Sequence, residues 1–448
     1  MERIKEPSRD VPVADEVDVL VVGGGVSGAF AAVAAAREGA RAAIIERHGF
    51  FGGAATAGLV CVWHSLTDTT GRRPIIGGLT AVVLDRLRAR GALAEQHNSF
   101  SLNTEELKIE LDRLVVEAGL RPFLNAWYSG ALIEAGRPVA ALIQDKSGRR
   151  AVRARAFVDA TGDGDLIRDL DLPWERRDDL QPPTACAVLD GLQGLLRENP
   201  GLDPWELVFD EDVPDHLPPG FLWWTARPTF QDSIMVAGTR VSGADCSDAD
   251  QLTRAEIEGR RQVRAMHDIL RRRMRGGEGL ALSAVCASIG VRETRHACCL
   301  HRVSEAELLG GVRFPDAIAN GTYPVDIHHS AKPGITFRRL DGTETCLAPG
   351  CPPRNGRWRE PLDHEPTFYQ VPYRSLVPQG ARNVLVAGRL VDADRGAYGA
   401  LRVMVNGNQF GEAAGTACAL ALRDGVDVAE VDPGLLRERL GERGAVII

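Results

Sequence analysis

The stretch Asp18 to Glu46, D-V-L-V-V-G-G-G-V-S-G-A-F-A-A-V-A-A-A-R-E-G-A-R-A-A-I-I-E, decides the fold. It starts with the apolar run 19–22, which is typical of a parallel strand buried on both faces. An Ala-rich segment, 29–36, predicts a helix that ends at Gly39. The next strand is expected at 41–45. A strand, a glycine turn, a helix and a second strand together predict an α/β protein that begins with a βαβ unit.

The turn of this unit carries the spacing G-x-G-x-x-G at Gly23, Gly25 and Gly28. The first glycine permits a tight turn, the second lets the backbone approach a pyrophosphate, and the third lets the helix pack on the strand. Phosphates then lie at the positive N-terminus of the helix. Glu46 follows Gly28 by 18 residues, where an acid accepts both hydroxyls of a ribose. The unit therefore predicts that the protein binds a dinucleotide, either FAD or NAD. Its place as the first unit of the chain favours FAD.

The segment after this unit, Arg47 to Val60, reads R-H-G-F-F-G-G-A-A-T-A-G-L-V. With Glu46 it resembles the pattern E-x-x-x-x-x-G-G-x-x-T-x-G-L-V of the FAD-dependent oxidoreductase family, within the glutathione-reductase-like flavoprotein superfamily. The resemblance implies FAD as the cofactor. It also implies a set of cofactor-binding residues, of which the small ones run under the ribityl chain and the isoalloxazine edge: Arg47, Gly52, Gly53, Ala54 and Thr56.

Composition limits the class of protein. The chain has 448 residues, is 44% hydrophobic and carries a formal charge of -8, which argues against nucleic acid as a partner. The charged segment 1–16 lacks the apolar core of a signal peptide, and no apolar run approaches the length of a membrane span. We therefore expect a cytoplasmic protein without membrane contact. Nine scattered cysteines do not suggest a disulfide framework.

We expect a discontinuous Rossmann-like FAD-binding domain that contains a β-meander, with an α+β substrate or cap domain inserted into it. The predicted division is an N-terminal extension at 1–16, the first part of the FAD domain at 17–169, the cap domain at 170–368 and the closing part at 369–448. Many Pro and Trp residues and few buried-strand patterns distinguish the inserted region.

The meander is predicted as strands at 124–134, 138–144 and 151–159, and the third runs into Ala160-Thr161-Gly162-Asp163. In the family that the chain resembles, an A-T-G turn returns the chain to the cofactor. The resemblance therefore adds Thr161, Gly162 and Asp163 to the cofactor site, and Tyr128 as the residue whose backbone faces the adenine.

The C-terminal stretch resembles the closing signature of the same family. It contains the strand and turn N-V-L-V-A-G-R, ending in Gly388 and Arg389, then G-A-L-R-V-M and a small-residue helix predicted at 409–422. The resemblance implies that the helix N-terminus, near Asn406 to Gln409, points at the N1/O2 edge of the flavin. Its partial positive charge would favour the anionic reduced flavin.

Two clusters in the predicted cap region resemble family motifs, G-V-R-E-T-R around Arg292 and Y-P-V-D-I-H ending at His328. Hydride transfer to a flavin needs a base for the substrate proton and donors that hold the substrate. His328 is the first choice for the base, because imidazole titrates near neutral pH. Arg292 or Arg374 is expected to clamp an anionic group, and Tyr369 to donate a hydrogen bond or stack on the ring.

The remaining cysteine patterns suggest little chemistry. Cys346 and Cys351 have the spacing of a redox pair but lie outside the flavin-side helix where such pairs occur, and a second dinucleotide motif is missing. Cys298 and Cys299 match no zinc spacing, so no metal is expected. Cys61 and His64, just past the flavin loop, are conceivable points of covalent flavin attachment.

The sequence thus predicts an FAD-dependent dehydrogenase or oxidase that transfers a hydride from a small or medium polar metabolite to flavin N5. The electron acceptor and the direction of the reaction stay open, and a homodimer is possible. A monooxygenase or an ene-reductase is the alternative enzyme, although the halogenase pattern W-x-W-x-I-P is missing and Trp223-Trp224 does not match it. A non-catalytic FAD-binding scaffold or redox sensor is the alternative of another class.

Overall fold

The computed structural model describes residues 4–329 and 333–448. Its α-helices are α1 (Val26–Arg37), α2 (Gly78–Ala89), α3 (Thr104–Glu117), α4 (Asp165–Asp169), α5 (Leu192–Glu198), α6 (Pro204–Val208), α7 (Ala249–Arg273), α8 (Glu305–Leu309), α9 (Arg395–Leu401), α10 (Met404–Asp424) and α11 (Pro433–Glu442). Its strands are β1 (Val13–Val22), β2 (Ala42–Ile45), β3 (Val62–His64), β4 (Leu93–Gln96), β5 (Ser99–Leu102), β6 (Arg121–Phe123), β7 (Trp127–Glu134), β8 (Arg137–Asp145), β9 (Gly148–Asp159), β10 (Trp174–Arg176), β11 (Ala187–Asp190), β12 (Trp223–Ala226), β13 (Ser233–Ala237), β14 (Ala281–Val285), β15 (Arg295–Ala297), β16 (Ala317–Gly321), β17 (Val325–His328), β18 (Ile335–Arg338), β19 (Thr343–Ala348), β20 (Cys351–Arg357), β21 (Tyr369–Pro372) and β22 (Val384–Val386).

The central sheet has the strand order β6-β2-β1-β9-β8-β7, and β22 also pairs with β9. The pairs β2–β6, β1–β2, β1–β9 and β9–β22 are parallel, whereas β7, β8 and β9 form the antiparallel meander. Residues 19–22 of β1 are at most 1% exposed, as expected of a strand that is covered on both faces. The predicted α/β class, with a Rossmann-like sheet and additional antiparallel sheets, is confirmed.

Two boundaries at this sheet differ from the sequence prediction. Helix α1 begins at Val26, three residues earlier than expected, because Gly25 is its N-cap. The predicted strand 124–134 begins only at Trp127, and β6 precedes it as a separate parallel strand. Asn125 explains the break, since its φ of 52° lies in the left-handed region and turns the chain between the two strands.

Helix α10 is held close to α1 by small residues. A Cβ atom at Gly411 would lie 2.0 Å from the carbonyl oxygen of Ser27, and one at Gly415 would lie 1.9 Å from that of Ala31. The two glycines are one helical turn apart and therefore share a face. This close packing fixes the first turn of α10 beside the glycine turn of the first βαβ unit, although the two are almost 400 residues apart in sequence.

The buried apolar residues form two large clusters. The second cluster combines residues from the segment 185–289 with Leu59 and Cys61, and it packs the sheet β12-β13-β11-β14 against α7. Residues that follow this segment in sequence, such as Val303, Val325 and Phe368, belong to the first cluster, which also contains the central sheet. The predicted cap boundaries at 170 and 368 stay a prediction, and the apolar packing places the separate core within 185–289.

No helix in the described part of the chain combines the length and the apolar character that crossing a membrane requires.

Candidate functional site

A cavity of about 230 Å³ lies at the carboxyl ends of the parallel strands β2, β1, β9 and β22. This edge is where ligands bind in open α/β sheets. Most of the predicted cofactor residues line it: Gly23, Gly25, Glu46, Arg47, Gly52, Gly53, Ala54, Tyr128, Thr161, Gly162, Asp163, Gly388 and Arg389. Gly28, Thr56, Asn406 and Gln409 do not.

The glycine turn has one position that faces the cavity and one that faces the protein. A Cβ atom at Gly25 would meet no atom within 4 Å, whereas one at Gly28 would lie 1.9 Å from the carbonyl oxygen of Gly23. Gly28 therefore allows α1 to pack on β1, and Gly25 leaves open space in front of α1. The first turn of α1 has no side-chain cap, so its N–H groups and the positive end of its dipole are available to a diphosphate.

Glu46 directly follows β2 and lines the cavity. Its Oε2 accepts a hydrogen bond from the N–H of Gly24 at 2.7 Å, and its Oε1 accepts one from the N–H of His48 at 2.8 Å. Burial raises the pKa of this carboxyl, and the two N–H donors oppose that shift. Each carboxylate oxygen keeps a second lone pair, so the group fits the hydroxyls of a ribose.

The loop after β2 crosses the cavity close to the glycine turn. Gly52 and Gly53 have φ values of 114° and 51°, and a Cβ atom at Gly53 would lie 3.0 Å from the Cα of Gly25. Thr56 faces away, because its hydroxyl donates to the carbonyl oxygen of Phe51 at 2.8 Å. The structure thus assigns Thr56 to the shape of the loop and leaves Gly52, Gly53 and Ala54 at the cavity wall.

An ion pair joins the turn after β9 to the turn after β22. Arg389 Nη2 donates to Asp163 Oδ1 at 2.7 Å, and the hydroxyl of Thr294 donates to the same oxygen at 2.8 Å. Gly162 adopts a φ of 79° beside the guanidinium. The pair therefore ties together three segments that lie far apart in sequence and holds this end of the cavity in shape.

Helix α10 reaches the cavity with residues other than those predicted. It begins at Met404, five residues before the expected start, and Met404 and Gly407 line the cavity one turn apart. Asn406 donates to the hydroxyl of Tyr369 at 3.0 Å, and Gln409 donates to the carbonyl oxygen of Asn320 at 2.9 Å. Both of these amides point away from the cavity, so the first turn of the helix is what the structure presents there.

A second cavity, of about 400 Å³, adjoins the first. The two share a wall formed by Ala54, Gly290, Val291, Arg389, Arg402 and Met404. Among its lining residues, the apolar ones, half of them aromatic, make up what we call the apolar side: Val60, Val62, Phe221, Trp223, Ile335 and Phe337. The charged and hydrogen-bonding ones make up the polar side: His64, Arg292, Tyr323, Asp326, His328 and Arg402. Its volume suits a small-molecule ligand.

Arginines dominate the polar side. Arg292 and Arg402 line the cavity, and Arg240 lies behind His328. Asp326 is the carboxylate that faces them, with its Oδ2 3.1 Å from Arg402 Nη2. Burial, followed by the charge of Arg402, lowers the pKa of Arg292 to about 10. The region is therefore strongly positive.

His328, the expected base, is buried in β17 between two charged groups. Arg240 Nη2 lies 3.1 Å from its Nδ1, and its Nε2 lies 3.4 Å from Asp326 Oδ1. Because a guanidinium only donates, Nδ1 must accept and Nε2 carries the proton of the neutral ring. Burial and the charges of Arg292, Arg240 and Arg402 hold the pKa of His328 well below its usual value. The structure therefore leaves His328 neutral with its one lone pair already used, which differs from the expected role as a base.

His64 was considered only as a point of flavin attachment, yet it lines the second cavity and not the first. Its ring contacts the ring of Tyr323 with centroids 4.1 Å apart and the ring planes tilted by 38°. Neither ring nitrogen has a hydrogen-bond partner among residues 4–329 and 333–448. Burial, followed by the charge of Arg402, lowers the pKa of His64 to about 4. The residue is thus neutral at physiological pH with a free lone pair, and no local motif in the sequence signals this.

The structure brings neither Arg374 nor Tyr369 into either cavity. Arg374 Nε donates to Asp316 Oδ2 at 2.9 Å, and its side chain is 47% exposed. Tyr369 is fully buried, and its hydroxyl accepts the hydrogen bond from Asn406. Arg402, in contrast, lines both cavities. It stands within the quoted stretch G-A-L-R-V-M, but its role depends on contacts with residues distant in sequence.

All nine cysteines are free. Cys346 and Cys351 lie on adjacent strands of a hairpin, where they face Arg354 and Ala348 and not each other. Cys61 is buried outside both cavities, and burial raises its pKa to about 12. In the described ranges, no group of three or more His, Cys, Asp and Glu side chains is placed to hold a metal ion.

Three solved structures illustrate the likeness to known proteins. A geranylgeranyl bacteriochlorophyll reductase-like protein from Thermoplasma acidophilum is 12% identical with a TM-score of 0.44, over 96% of this chain and 83% of the other. The flavin-dependent brominase Bmp2 is 12% identical with a TM-score of 0.43, over 95% and 83%. PqsL from P. aeruginosa is 15% identical with a TM-score of 0.42, over 96% and 93%. Likeness at this level says nothing about the reaction.

The curated proteins contain no significant match to this sequence. The family model described as "FAD dependent oxidoreductase", in contrast, matches residues 18–440, which is nearly the whole chain. The match agrees with the geometry of the first cavity, where an open glycine turn, an uncapped helix N-terminus and a buried acid fit the diphosphate and ribose of FAD. The chain belongs to the FAD dependent oxidoreductase family, and it is an enzyme that uses FAD.

Proposed function

We propose that this protein oxidises a small or medium polar metabolite by transferring a hydride from a substrate carbon to N5 of FAD. One observation carries the proposal: the first cavity, whose residues fit FAD, and the second cavity share a wall, so a molecule in the second cavity lies directly beside the first. When bound, FAD would supply a two-electron acceptor. The protein then has to bind the substrate, exclude water and accept one proton.

His64 is the residue that we propose for the proton. The carbon loses a hydride, which carries two electrons and one proton, and the substrate hydroxyl or amine loses a second proton from its O–H or N–H bond. His64 faces the cavity with an unprotonated nitrogen, whereas the lone pair of His328 is occupied by Arg240. His328 is proposed instead to orient Asp326 and Arg240, which lie next to the substrate-binding arginines.

Several sequence predictions belong to the same proposal. They are the membership of the glutathione-reductase-like superfamily, the division at 1–16, 17–169, 170–368 and 369–448, and a cytoplasmic protein that can form a homodimer. The order of a parallel sheet, a three-stranded meander, an inserted antiparallel sheet and a returning strand supports the superfamily assignment. The electron acceptor is oxygen, a quinone or a carrier protein.

An ene-reductase is the second candidate, favoured by Arg292 and Arg402 beside the shared wall, since a guanidinium near the flavin can polarise or protonate an unsaturated acid. Anaerobic titration of the FAD-loaded protein separates the two candidates. Bleaching of the flavin by a metabolite supports oxidation. Bleaching only by reduced nicotinamide, followed by reoxidation with an unsaturated acid, supports the ene-reductase, and reoxidation only with oxygen and product hydroxylation supports a monooxygenase. A flavin that no metabolite or nicotinamide bleaches contradicts all three and favours the scaffold.

A further inference from the structure

We propose that the substrate is a carboxylic acid with an apolar or aromatic body, and that Arg292 and Arg402 bind its carboxylate. The proposal rests on the proposed function and names the substrate class of that same site.

The charge of the second cavity is the first argument. Arg240, Arg292 and Arg402 interact with one another and with Asp326, so three positive groups meet one carboxylate. The two histidines beside them, His64 and His328, are neutral. Burying uncompensated charge is unfavourable, and a bound anion relieves it. The cavity therefore selects for a negatively charged ligand.

The free donors are the second argument. Arg402 Nε and Nη2 are buried and make no hydrogen bond in the described part of the chain, although Nη2 lies 3.1 Å from Asp326 Oδ2 in an ion pair. Among the described residues, Arg292 donates through Nη1 alone, to the carbonyl oxygen of Pro182 and the hydroxyl of Thr184. Guanidinium groups match the planar geometry of a carboxylate with two parallel donors.

The other arginines nearby are already satisfied. Arg240 donates to Thr184, Thr239, Phe221 and His328, and Arg389 is paired with Asp163. The anion site therefore consists of Arg292 and Arg402.

The apolar side of the cavity is the third argument. The rings of Phe221 and Phe337 pack edge to face with centroids 6.3 Å apart, and Trp223 and Ile335 continue the same surface. Phosphate or a halide ion would leave this surface against water, whereas a hydrocarbon or aromatic body covers it. Arg402 also belongs to the wall shared with the first cavity, where FAD is expected. The substrate carbon that reacts therefore lies close to the carboxylate of the substrate.

Calorimetric titration of the FAD-loaded protein with benzoate and with its neutral isostere benzamide tests the proposal. We expect benzoate to bind at least about tenfold more tightly than benzamide, and Arg402→Gln and Arg292→Gln each to weaken benzoate by at least about tenfold while benzamide is unchanged. Arg374→Gln is the matched control, since it removes an arginine outside both cavities and should leave benzoate binding as it is. Arg402→Lys keeps the charge and should bind benzoate between the wild type and Arg402→Gln. It serves in place of the glutamine variant if that variant loses FAD.

Equal affinity for benzoate and benzamide, or no binding of either, overturns the proposal. Tighter binding of bromide or phosphate than of benzoate also overturns it, because the site would then be one for an inorganic anion. The titration needs no turnover, so it fails or succeeds independently of the anaerobic flavin reduction that tests the proposed function.

Discussion

Arg240 donates from Nη2 to Nδ1 of His328 at 3.1 Å, across 88 positions of the sequence. This contact fixes the tautomer of the histidine, because the guanidinium has no acceptor. It also places Arg240, which follows β13, against β17. Residues from these two segments therefore meet at the polar side of the second cavity. The same contact removes His328 from the list of free bases and gives it a role in holding Arg240 and Asp326.

The buried neutral state of His328 predicts an acid-sensitive fold. The unfolded histidine binds a proton below its usual pKa of about 6.5, whereas the folded one does not, since burial and the nearby Arg292, Arg240, Arg402 and His329 lower its pKa. The unfolded state then binds more protons, so this residue costs up to about 1.4 kcal/mol of stability per pH unit as the pH falls below 6.5. We expect His328→Gln, whose amide oxygen can still accept from Arg240, to lose less stability between pH 7.5 and 5.5 than the wild type. Urea unfolding at both pH values measures this.

His97, which is exposed, provides the control: His97→Gln should keep the pH dependence of the wild type. A His328→Gln variant with the same acid sensitivity as the wild type would show that His328 is protonated in the folded protein, and would contradict the hydrogen bond that Nδ1 accepts from Arg240.

Gly25 and Gly28 predict opposite outcomes for the same alanine substitution. Gly25→Ala adds a methyl group where no protein atom lies within 4 Å, and its φ of −59° suits alanine, so the apoprotein should keep its thermal midpoint. The methyl group would occupy space intended for the diphosphate, so the variant should purify with little flavin. Gly28→Ala brings a methyl group to 1.9 Å from a carbonyl oxygen and should destabilise the apoprotein itself. The flavin-to-protein absorbance ratio and the melting temperature of each apoprotein distinguish the two, and an apoprotein of Gly25→Ala that melts like Gly28→Ala would contradict the assignment.

The first cavity, which fits FAD, was predictable because its determinants are local in sequence. Gly23, Gly25 and Gly28 work within one turn, and Glu46 is separated from them by a single helix, so spacing alone specifies their geometry. The small-residue pattern also predicts helix α10, but it places the start five residues too late. The reason is that this pattern reflects the contact of the helix with α1 and not its N-cap.

The second cavity was not predictable in the same way. It combines residues from 54 to 404, and no periodicity links His64 to Arg402 or Arg240 to His328. Arg374 is one of the two arginines that the sequence predicts to clamp an anionic group, yet Asp316 already neutralises it from a position 58 residues away. Charge pairing between distant segments decides which arginine is free, and the sequence does not contain that information in local form.

The Asp163–Arg389 pair predicts a stability cost that exceeds that of an ordinary surface pair. Asp163→Asn keeps the shape of the side chain but leaves Arg389 without its charge partner at a wall common to both cavities, with side-chain exposures of only 12% and 19%. We expect a loss of about 2 kcal/mol in the free energy of unfolding, because one charge of a mostly buried pair remains. Asp169→Asn removes the partner of the more exposed Arg168 and should cost about 0.5 kcal/mol. Equal costs in urea unfolding would show that Asp163 is as well solvated as Asp169.

Tyr369→Phe should affect stability and not binding. The hydroxyl is buried and accepts from Asn406 Nδ2 at 3.0 Å, so its removal leaves that amide with one bond fewer and should cost about 1 kcal/mol in urea unfolding. The benzoate affinity of the FAD-loaded variant should equal that of the wild type, since Tyr369 lines neither cavity. A tenfold change in benzoate affinity, with stability unchanged, would return Tyr369 to the substrate site.

His64→Gln should slow flavin reduction without preventing FAD or carboxylate binding. The imidazole has an unprotonated nitrogen at the cavity wall, and its pKa of about 4 in the ligand-free protein reflects burial and the charge of Arg402. A carboxylate bound to Arg402 neutralises part of that charge, so the pKa of His64 should rise when the substrate binds and the ring becomes a stronger base when it is needed. Loss of a general base lowers rates by about 10² to 10⁴ fold.

Stopped-flow measurement with a substrate identified by anaerobic bleaching tests this. The rate of flavin reduction in His64→Gln should be lower than in the wild type by a factor within that range. The wild-type kcat/KM should be level above pH 5 and fall toward pH 4 as the free histidine takes up a proton.

His328→Gln is the matched control, and its rate of flavin reduction should keep the pH profile of the wild type. A His64→Gln variant that reduces flavin at the wild-type rate, combined with a His328→Gln variant that does not, would transfer the proton to His328 and require the contact with Arg240 to open during turnover.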